Sequence, residues 1–443
     1  MSWAEARRQR GQRAFRALWI GQSVSQLGSQ ISLVVLPLIA VVVLEASPFE
    51  VGLLAALETA PYLLGSLPAG ILADHFQRRS LLILADVLRA LVLTSVPIAL
   101  VLGVLDLNLL MVVALLTGTL TMVFEIAFLS YVPELVPPEE LVASNQRLEA
   151  SYSVGQIGGP TLAGVLMATL GAGVAVIVDI LTYLASALAI MRSPRMRRPQ
   201  ARPIEGGGLA AAMATGPRFL LSDRVLRDLA ASTATFNLAS SILFAVFILF
   251  ATRDVGVRPE IFGLLYGLGN VGFLVGAGLV GHLGRRLGPG PSLFLAGILG
   301  GTATAIMPLA VGPAAALTLF VGRFVGAVSA SIFNVNAYSI RQARVPDVVL
   351  GRVNASFKLL DWGTLPIGAL LGGTVGSLFG VRHAIALAAI LGVASVLWLV
   401  RSPVRELRSL RPLPQARPSP PVAASSATGA AAPTGADLPV SRA

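Results

Sequence analysis

The feature that most constrains this 443-residue chain is a succession of apolar runs, each more than twenty residues long, separated by short charged or Gly/Pro-containing breaks. A helix needs about 20 residues to cross a hydrocarbon core of about 30 Å. Within lipid, every backbone N–H and C=O has to be satisfied inside the spanning segment. A chain of such runs therefore folds as a helical membrane protein. The runs predict spans near 15–44, 49–74, 80–104, 108–132, 143–170 and 171–193, then near 225–252, 258–284, 289–312, 314–342, 352–378 and 380–401. The expected fold class is an all-α membrane protein of twelve transmembrane helices in two pseudo-symmetric six-helix bundles. Residues 1–14 form a cytoplasmic N-terminal segment, 15–193 the first bundle, 194–222 a cytoplasmic linker, 223–402 the second bundle and 403–443 a disordered cytoplasmic tail. Charged residues make up 12% of the chain, against about 25% in water-soluble domains, so most of the surface faces something other than water.

The net charge of +11 would fit nucleic-acid binding if the basic residues interleaved with aromatic ones. They do not. The arginines cluster at the ends of apolar runs, as the positive-inside rule demands. Arg7, Arg8, Arg10, Arg13 and Arg16, then Arg78 and Arg79, then Arg285 and Arg286, then Arg341, Arg344 and Arg352 fall on one side, and the opposite loops hold only Arg253, Arg258 and Arg382. Both termini are accordingly expected in the cytoplasm. Cysteine is absent and only three histidines occur, which leaves no basis for a metal site or a thiol nucleophile. No HExxH, GxSxG or GxxxxGK[ST] motif is present, so neither a membrane-embedded enzyme nor an ATP-driven pump is expected, and no cofactor.

The two halves repeat. Leu72, His75, Arg78 and Arg79 fall on Leu279, His282, Arg285 and Arg286 at an offset of 207. Leu141, Asn145, Gly159, Gly164 and Gly171 fall on Leu350, Asn354, Gly368, Gly373 and Gly380 at an offset of 209. Duplicated sets of spans mark transporters whose substrate path runs between the halves.

The break after the second span reads Gly70-Ile-Leu-Ala-Asp74-His-Phe-Gln-Arg78-Arg79. It resembles the signature loop of the major facilitator superfamily. Gly70, Leu72, Asp74, Arg78 and Arg79 match that pattern; His75 and Gln77 depart from it, and the second copy has Gly281 in place of the aspartate. The resemblance implies a gating loop that latches the inner side of the transporter, with Asp74 facing a helix of the other half near Asn354. In span 5, Gly155, Gly159, Pro160 and Gly164 resemble a shortened form of the superfamily's exporter-associated motif. The stretches Phe124–Pro137 and Gly351–Gly363 are similar to the branch containing enterobactin exporters and macrolide efflux proteins. The likeness covers residues 12–402 and implies the major facilitator fold, a bacterial inner membrane, export and a monomer.

Polar residues inside the spans are candidates for the path. Gln22, Gln26 and Gln30 recur every four residues on span 1, and Thr233, Asn237 and Ser241 do the same on span 7, so each set shares one helix face. Asn334 and Trp362 complete the expected cavity wall. Intramembrane charges are costly and mark function. Asp86–Arg89 and Lys358–Asp361 are three apart, close enough to pair within a helix. Glu125 has no cation within one turn of its own helix, which makes it the first candidate proton carrier; its counter-ion, if it has one, is expected on another helix, for instance Arg323. Glu58, Asp361 and Asp179 are further candidates. The expected function is proton-coupled export of amphipathic small molecules by alternating access, with uptake or lipid movement as the alternative of the same class. The partners are a small-molecule substrate, the proton and the lipid bilayer.

Overall fold

The computed structural model describes residues 3–137, 140–193 and 209–408, with the backbone alone at 3–8, 64, 66–75, 142, 209–215, 260, 347–352 and 355. The described residues contain helices and no strand. In the first half these are α1 (Trp3–Leu38), α2 (Pro48–His75), α3 (Arg78–Leu102), α4 (Leu107–Leu135), α5 (Leu141–Thr169) and α6 (Ala172–Arg192). After α7 (Leu209–Ser222) the second half follows with α8 (Arg224–Leu249), α9 (Pro259–Gly269), α10 (Val271–Arg286), α11 (Pro289–Ala305), α12 (Ala315–Arg344), α13 (Asp347–Phe379), α14 (Val381–Ala394) and α15 (Leu397–Val400). Among the described residues, ten segments are long and apolar enough to cross a membrane. With α2 and the Gly-rich α5, which pack among them, they make the expected twelve. The outward faces are apolar as lipid contact requires: Leu91, Val101, Leu181, Leu317, Ile390 and Leu397 are all exposed.

Several boundaries differ from the sequence reading. The N-terminal segment is not separate, because α1 already begins at Trp3. Span 8 is broken at Asn270 into α9 and α10, a break the apolar pattern cannot reveal because the apolar run continues through both pieces. The linker carries α7, packed on α13. The tail starts with an ordered turn, Pro403–Glu406, whose Val404 is buried, and the carbonyl of Leu407 just after it accepts from Gly290 N at 3.1 Å. The rest of the expected linker and tail, 194–208 and 409–443, lies outside the described residues.

The duplication is visible in the backbone. Gly171 and Gly380, paired in the sequence repeat, both take positive φ (85° and 95°) at the tight turns into α6 and α14, a conformation that favours glycine. α1 ends in a π turn, Ile39–Val43, and α8 in another, Phe250–Asp254. Their closing bonds correspond as well: Leu44 N to Ile39 O at 3.1 Å and Val255 N to Phe250 O at 3.0 Å.

The halves meet at two matched glycine contacts. A Cβ on Gly52 of α2 would lie 2.7 Å from Gly373 Cα of α13, and one on Gly263 of α9 would lie 2.6 Å from Gly164 Cα of α5. Small residues allow this approach of backbones. At the end of the molecule remote from the termini, one apolar cluster runs through both halves and includes Leu38, Ile39 and Leu54 with Phe247, Phe250 and Phe262. At the terminal end each half keeps its own cluster, around Phe15 and Phe124 in the first and around Phe333 and Phe357 in the second. The bundles are thus sealed together at the far end and cored separately at the terminal end.

Candidate functional site

Near the middle of the helices, side chains of both halves meet. Glu125 of α4 lies beside Tyr62 of α2 and within electrostatic reach of Lys358 on α13 and Arg89 on α3. The rings of Tyr62 and Trp362 lie 3.9 Å apart across the bundle interface, and the Lys358 ammonium sits 4.7 Å above the Trp362 ring. Glu58, one turn before Tyr62 on α2, acts on the same phenol. Tyr152 of α5 lies within electrostatic reach of Glu125 as well. The cluster therefore joins two carboxylates of the first half to a cation and an indole of the second.

The expected pairings come out unevenly. Asp86 and Arg89 form a buried ion pair; Arg89 also stacks on Phe124 at 4.5 Å and Tyr183 at 4.2 Å. Lys358 and Asp361 do not pair: Lys358 is drawn over Trp362, while Asp361 has Arg341 of α12 as its attracting cation. Arg323 does not serve Glu125; its guanidinium lies 4.3 Å over Tyr266 and Nη2 donates to Asn270 Oδ1 at 2.6 Å. Asp179, fully buried on α6, accepts from Ser32 of α1 and from Thr182 Oγ1 at 3.1 Å.

The two polar stripes lie over glycines. Gly155 and Gly159 of α5 sit against Gln26 and Gln30, with a Cβ on Gly155 falling 3.2 Å from Gln26 Cγ. Gln22 leaves its Oε1 buried without a partner. In the second half, Ser241 Oγ donates to Leu365 O of α13 at 2.5 Å beside Gly368, and Thr233 Oγ1 donates to Leu229 O of its own helix at 2.9 Å. Asn237 is half-buried and Asn334 is exposed. Pro160 and Gly164 face Gly263 of α9, so the helix-5 motif serves both its own bundle and the interface.

The gating-loop arginines brace the terminal end. Arg78 pairs with Glu134 of α4 and donates to Ser130 O at 2.8 Å. Arg79 donates to Ile190 O at 3.2 Å and Met191 O at 2.6 Å, satisfying carbonyls at the end of α6. Arg285 and Arg286 are exposed at the end of α10. The side chains of Gly70 and Asp74 lie outside the described residues, and with them the expected contact between Asp74 and the Asn354 region.

A duplicated twelve-span chain with charged residues held at the interface of its halves has the form of a secondary transporter. Residues 4–430 match the family of transmembrane secretion effectors. The chain belongs to this family of the major facilitator superfamily. It is a multi-pass membrane transporter and not an enzyme. Among curated proteins it is similar to the enterobactin exporter EntS of Citrobacter koseri, with 26% identity over 90% of this chain and 95% of that one. It is also similar to the multidrug efflux pump Tap of Mycolicibacterium fortuitum, with 28% identity over 80% of this chain and 88% of that one. A bacterial homologue of the iron transporter ferroportin in an inward-facing state shares the fold at a TM-score of 0.67 and 20% identity, covering 90% of this chain and 99% of that one. The nucleoside transporter NupG does so at 0.72 and 11%, covering 87% and 98%.

Sequence reasoning missed Tyr62 and the seat of Lys358 over Trp362 in this secretion effector. A signal was available: Glu58 and Tyr62, like Lys358 and Trp362, are four residues apart, so each charge shares a helix face with a ring.

Proposed function

We propose that this transporter exports amphipathic small molecules from the bacterial cytoplasm by proton antiport with alternating access. The observation that carries the reading is the midplane contact of Tyr62 with Trp362 at 3.9 Å, which brings Glu125 of one bundle within electrostatic reach of Lys358 of the other. Parting the bundles removes Lys358 and Trp362 from Glu125 and Tyr62, so the free energy of protonating Glu125 depends on which end is open. A group of that kind couples a proton to a conformational equilibrium. The closed far end and separately cored terminal end correspond to a state open to the cytoplasm, given that the clustered arginines hold the termini inside. The similarity to a siderophore exporter and a multidrug pump supports efflux and amphipathic cargo. The protein acts as a monomer in the cytoplasmic membrane, and protons are the coupling ion.

The test is reconstitution into liposomes with an imposed pH gradient, following accumulation of an amphipathic dye such as rhodamine 6G and, in parallel, internal pH. Gradient-driven dye movement with counterflow of protons is expected for the native chain and is lost in Glu125→Gln. Transport by Glu125→Gln at the native rate removes Glu125 from the mechanism. Inverted membrane vesicles give the direction.

A further inference from the structure

The second bundle holds a cavity of about 170 Å³ that the midplane cluster does not use. Its walls are aromatic, with Phe236, Phe244 and Phe247 from α8, Tyr266 from α9 and Phe273 from α10. Among the described residues, Arg323 is the one charged residue that lines it. Besides its bond to Asn270 and its stacking on Tyr266, the guanidinium keeps a buried Nε with no hydrogen-bond partner. No carboxylate pairs with Arg323 among the described residues.

The other bundle supplies the contrast. Arg89 also lies against two rings, but it is neutralised by Asp86 in direct contact. A cation held inside a membrane bundle without a counter-ion is costly and marks a functional position. The backbone around Arg323 is cut to fit it. A Cβ on Gly269 would lie 2.5 Å from Arg323 Cγ, so only glycine leaves room for the arginine stem. Gly326, on the same face of α12 as Arg323 and also lining the cavity, has open space where its Cβ would be.

A guanidinium with free N–H groups matches a carboxylate or sulfonate, and a dry apolar cavity of about 150 Å³ takes a benzene ring. The site is also connected to the interface: Asn270 Nδ2 donates to Gln156 O of α5 at 2.7 Å. We infer that this cavity binds the anionic aromatic end of a ligand, an aryl carboxylate or sulfonate, with Arg323 as its counter-ion. The inference rests on the export reading only in calling that ligand a substrate.

Equilibrium binding to the full chain in lipid nanodiscs, with no gradient present, tests the site apart from transport. The probes are benzoate and benzylammonium, matched in size and opposite in charge, followed by saturation-transfer NMR. The native protein is expected to bind benzoate at least about tenfold more tightly. Arg323→Gln brings the ratio to within about twofold of unity, Arg323→Lys retains a preference for benzoate, and Arg224→Gln at the terminal end leaves the ratio unchanged. Equal binding of the two probes by the native chain overturns the proposal, as does a preference that survives Arg323→Gln. Displacement of benzoate by equimolar chloride would reduce the site to one for inorganic anions and overturn the aromatic assignment. Should Arg323→Gln fail to fold, Ser240→Glu puts a competing carboxylate on the cavity wall with Arg323 intact. Its benzoate preference must then collapse, and persistence of that preference refutes the site. A negative result here leaves proton-coupled export standing, since none of these measurements involves a gradient.

Discussion

Alanine at Gly52 is predicted to loosen the far-end seal by a calculable amount. The added methyl would lie 2.6 Å from Ala369 O and 2.7 Å from Gly373 Cα. Non-bonded carbons rest about 3.5–4.0 Å apart, and the obstructing atoms are backbone, so no rotamer change relieves the overlap. α2 and α13 must separate by roughly 1 Å. A gap of about 0.5–1 Å forfeits a quarter to a half of the dispersion well for each atom pair along the seam, and overpacking of this kind costs about 1–3 kcal/mol. The chain has no cysteine, so Ala40→Cys, at a fully buried position of the far-end cluster, supplies a unique thiol. Its maleimide labelling in nanodiscs reports how often the seal opens. Where labelling is limited by the open population, adding Gly52→Ala accelerates it about 5- to 150-fold, the equivalent of about 1–3 kcal/mol. Gly278→Ala, which meets nothing within 4 Å, leaves the rate unchanged. Equal labelling rates with and without Gly52→Ala would refute the claim that the seam is held at glycine distance.

Arg89→Met strands buried Asp86 and is expected to cost about 3–5 kcal/mol in denaturant unfolding, whereas Asp86→Leu combined with Arg89→Met recovers much of that loss. Tyr62→Phe removes the phenol hydroxyl beside Glu125 and keeps the ring on Trp362; dye export in liposomes falls at least about fivefold while thermal stability stays close to native, because one polar group of this kind contributes at most about 0.5–1.5 kcal/mol. At the terminal end, Arg344 meets Asp223 at 2.8 Å in a half-exposed pair. Arg344→Ala costs less than about 1 kcal/mol. Asp223→Ala costs more, by about 0.5–2 kcal/mol, because Asp223 also caps α8 by accepting from Val225 N and Leu226 N; urea titration separates the two.

Properties that live on one helix were legible in the sequence. Span lengths, the paired turn glycines Gly171 and Gly380, and the Asp86–Arg89 pair follow from hydropathy, repeat register and the three-residue spacing. What depends on how two helices are rotated against each other was not. Lys358 and Asp361 satisfy the same spacing rule as Asp86 and Arg89, yet Trp362 and Arg341 draw them apart. Arg323 looked available to Glu125 until Tyr266 and Asn270 claimed it. The break at Asn270 escaped notice for a related reason: the polar side chain that interrupts span 8 is satisfied by Arg323 and by Gln156 O, partners on two other helices. The glycines of span 5 were readable as a packing signal, but that Gly164 would meet Gly263 of the opposite bundle required coordinates.

The matched contacts of Gly52 with Gly373 and of Gly164 with Gly263 have a kinematic meaning. Two rigid bodies that touch at two incompressible points, and stay in touch there, keep a single rotation: the one about the line through those points. Sliding, twisting and lifting all require one contact to be crushed or broken. For as long as the far end stays shut, four α-carbons thereby mark the line about which the terminal ends of the two halves can swing.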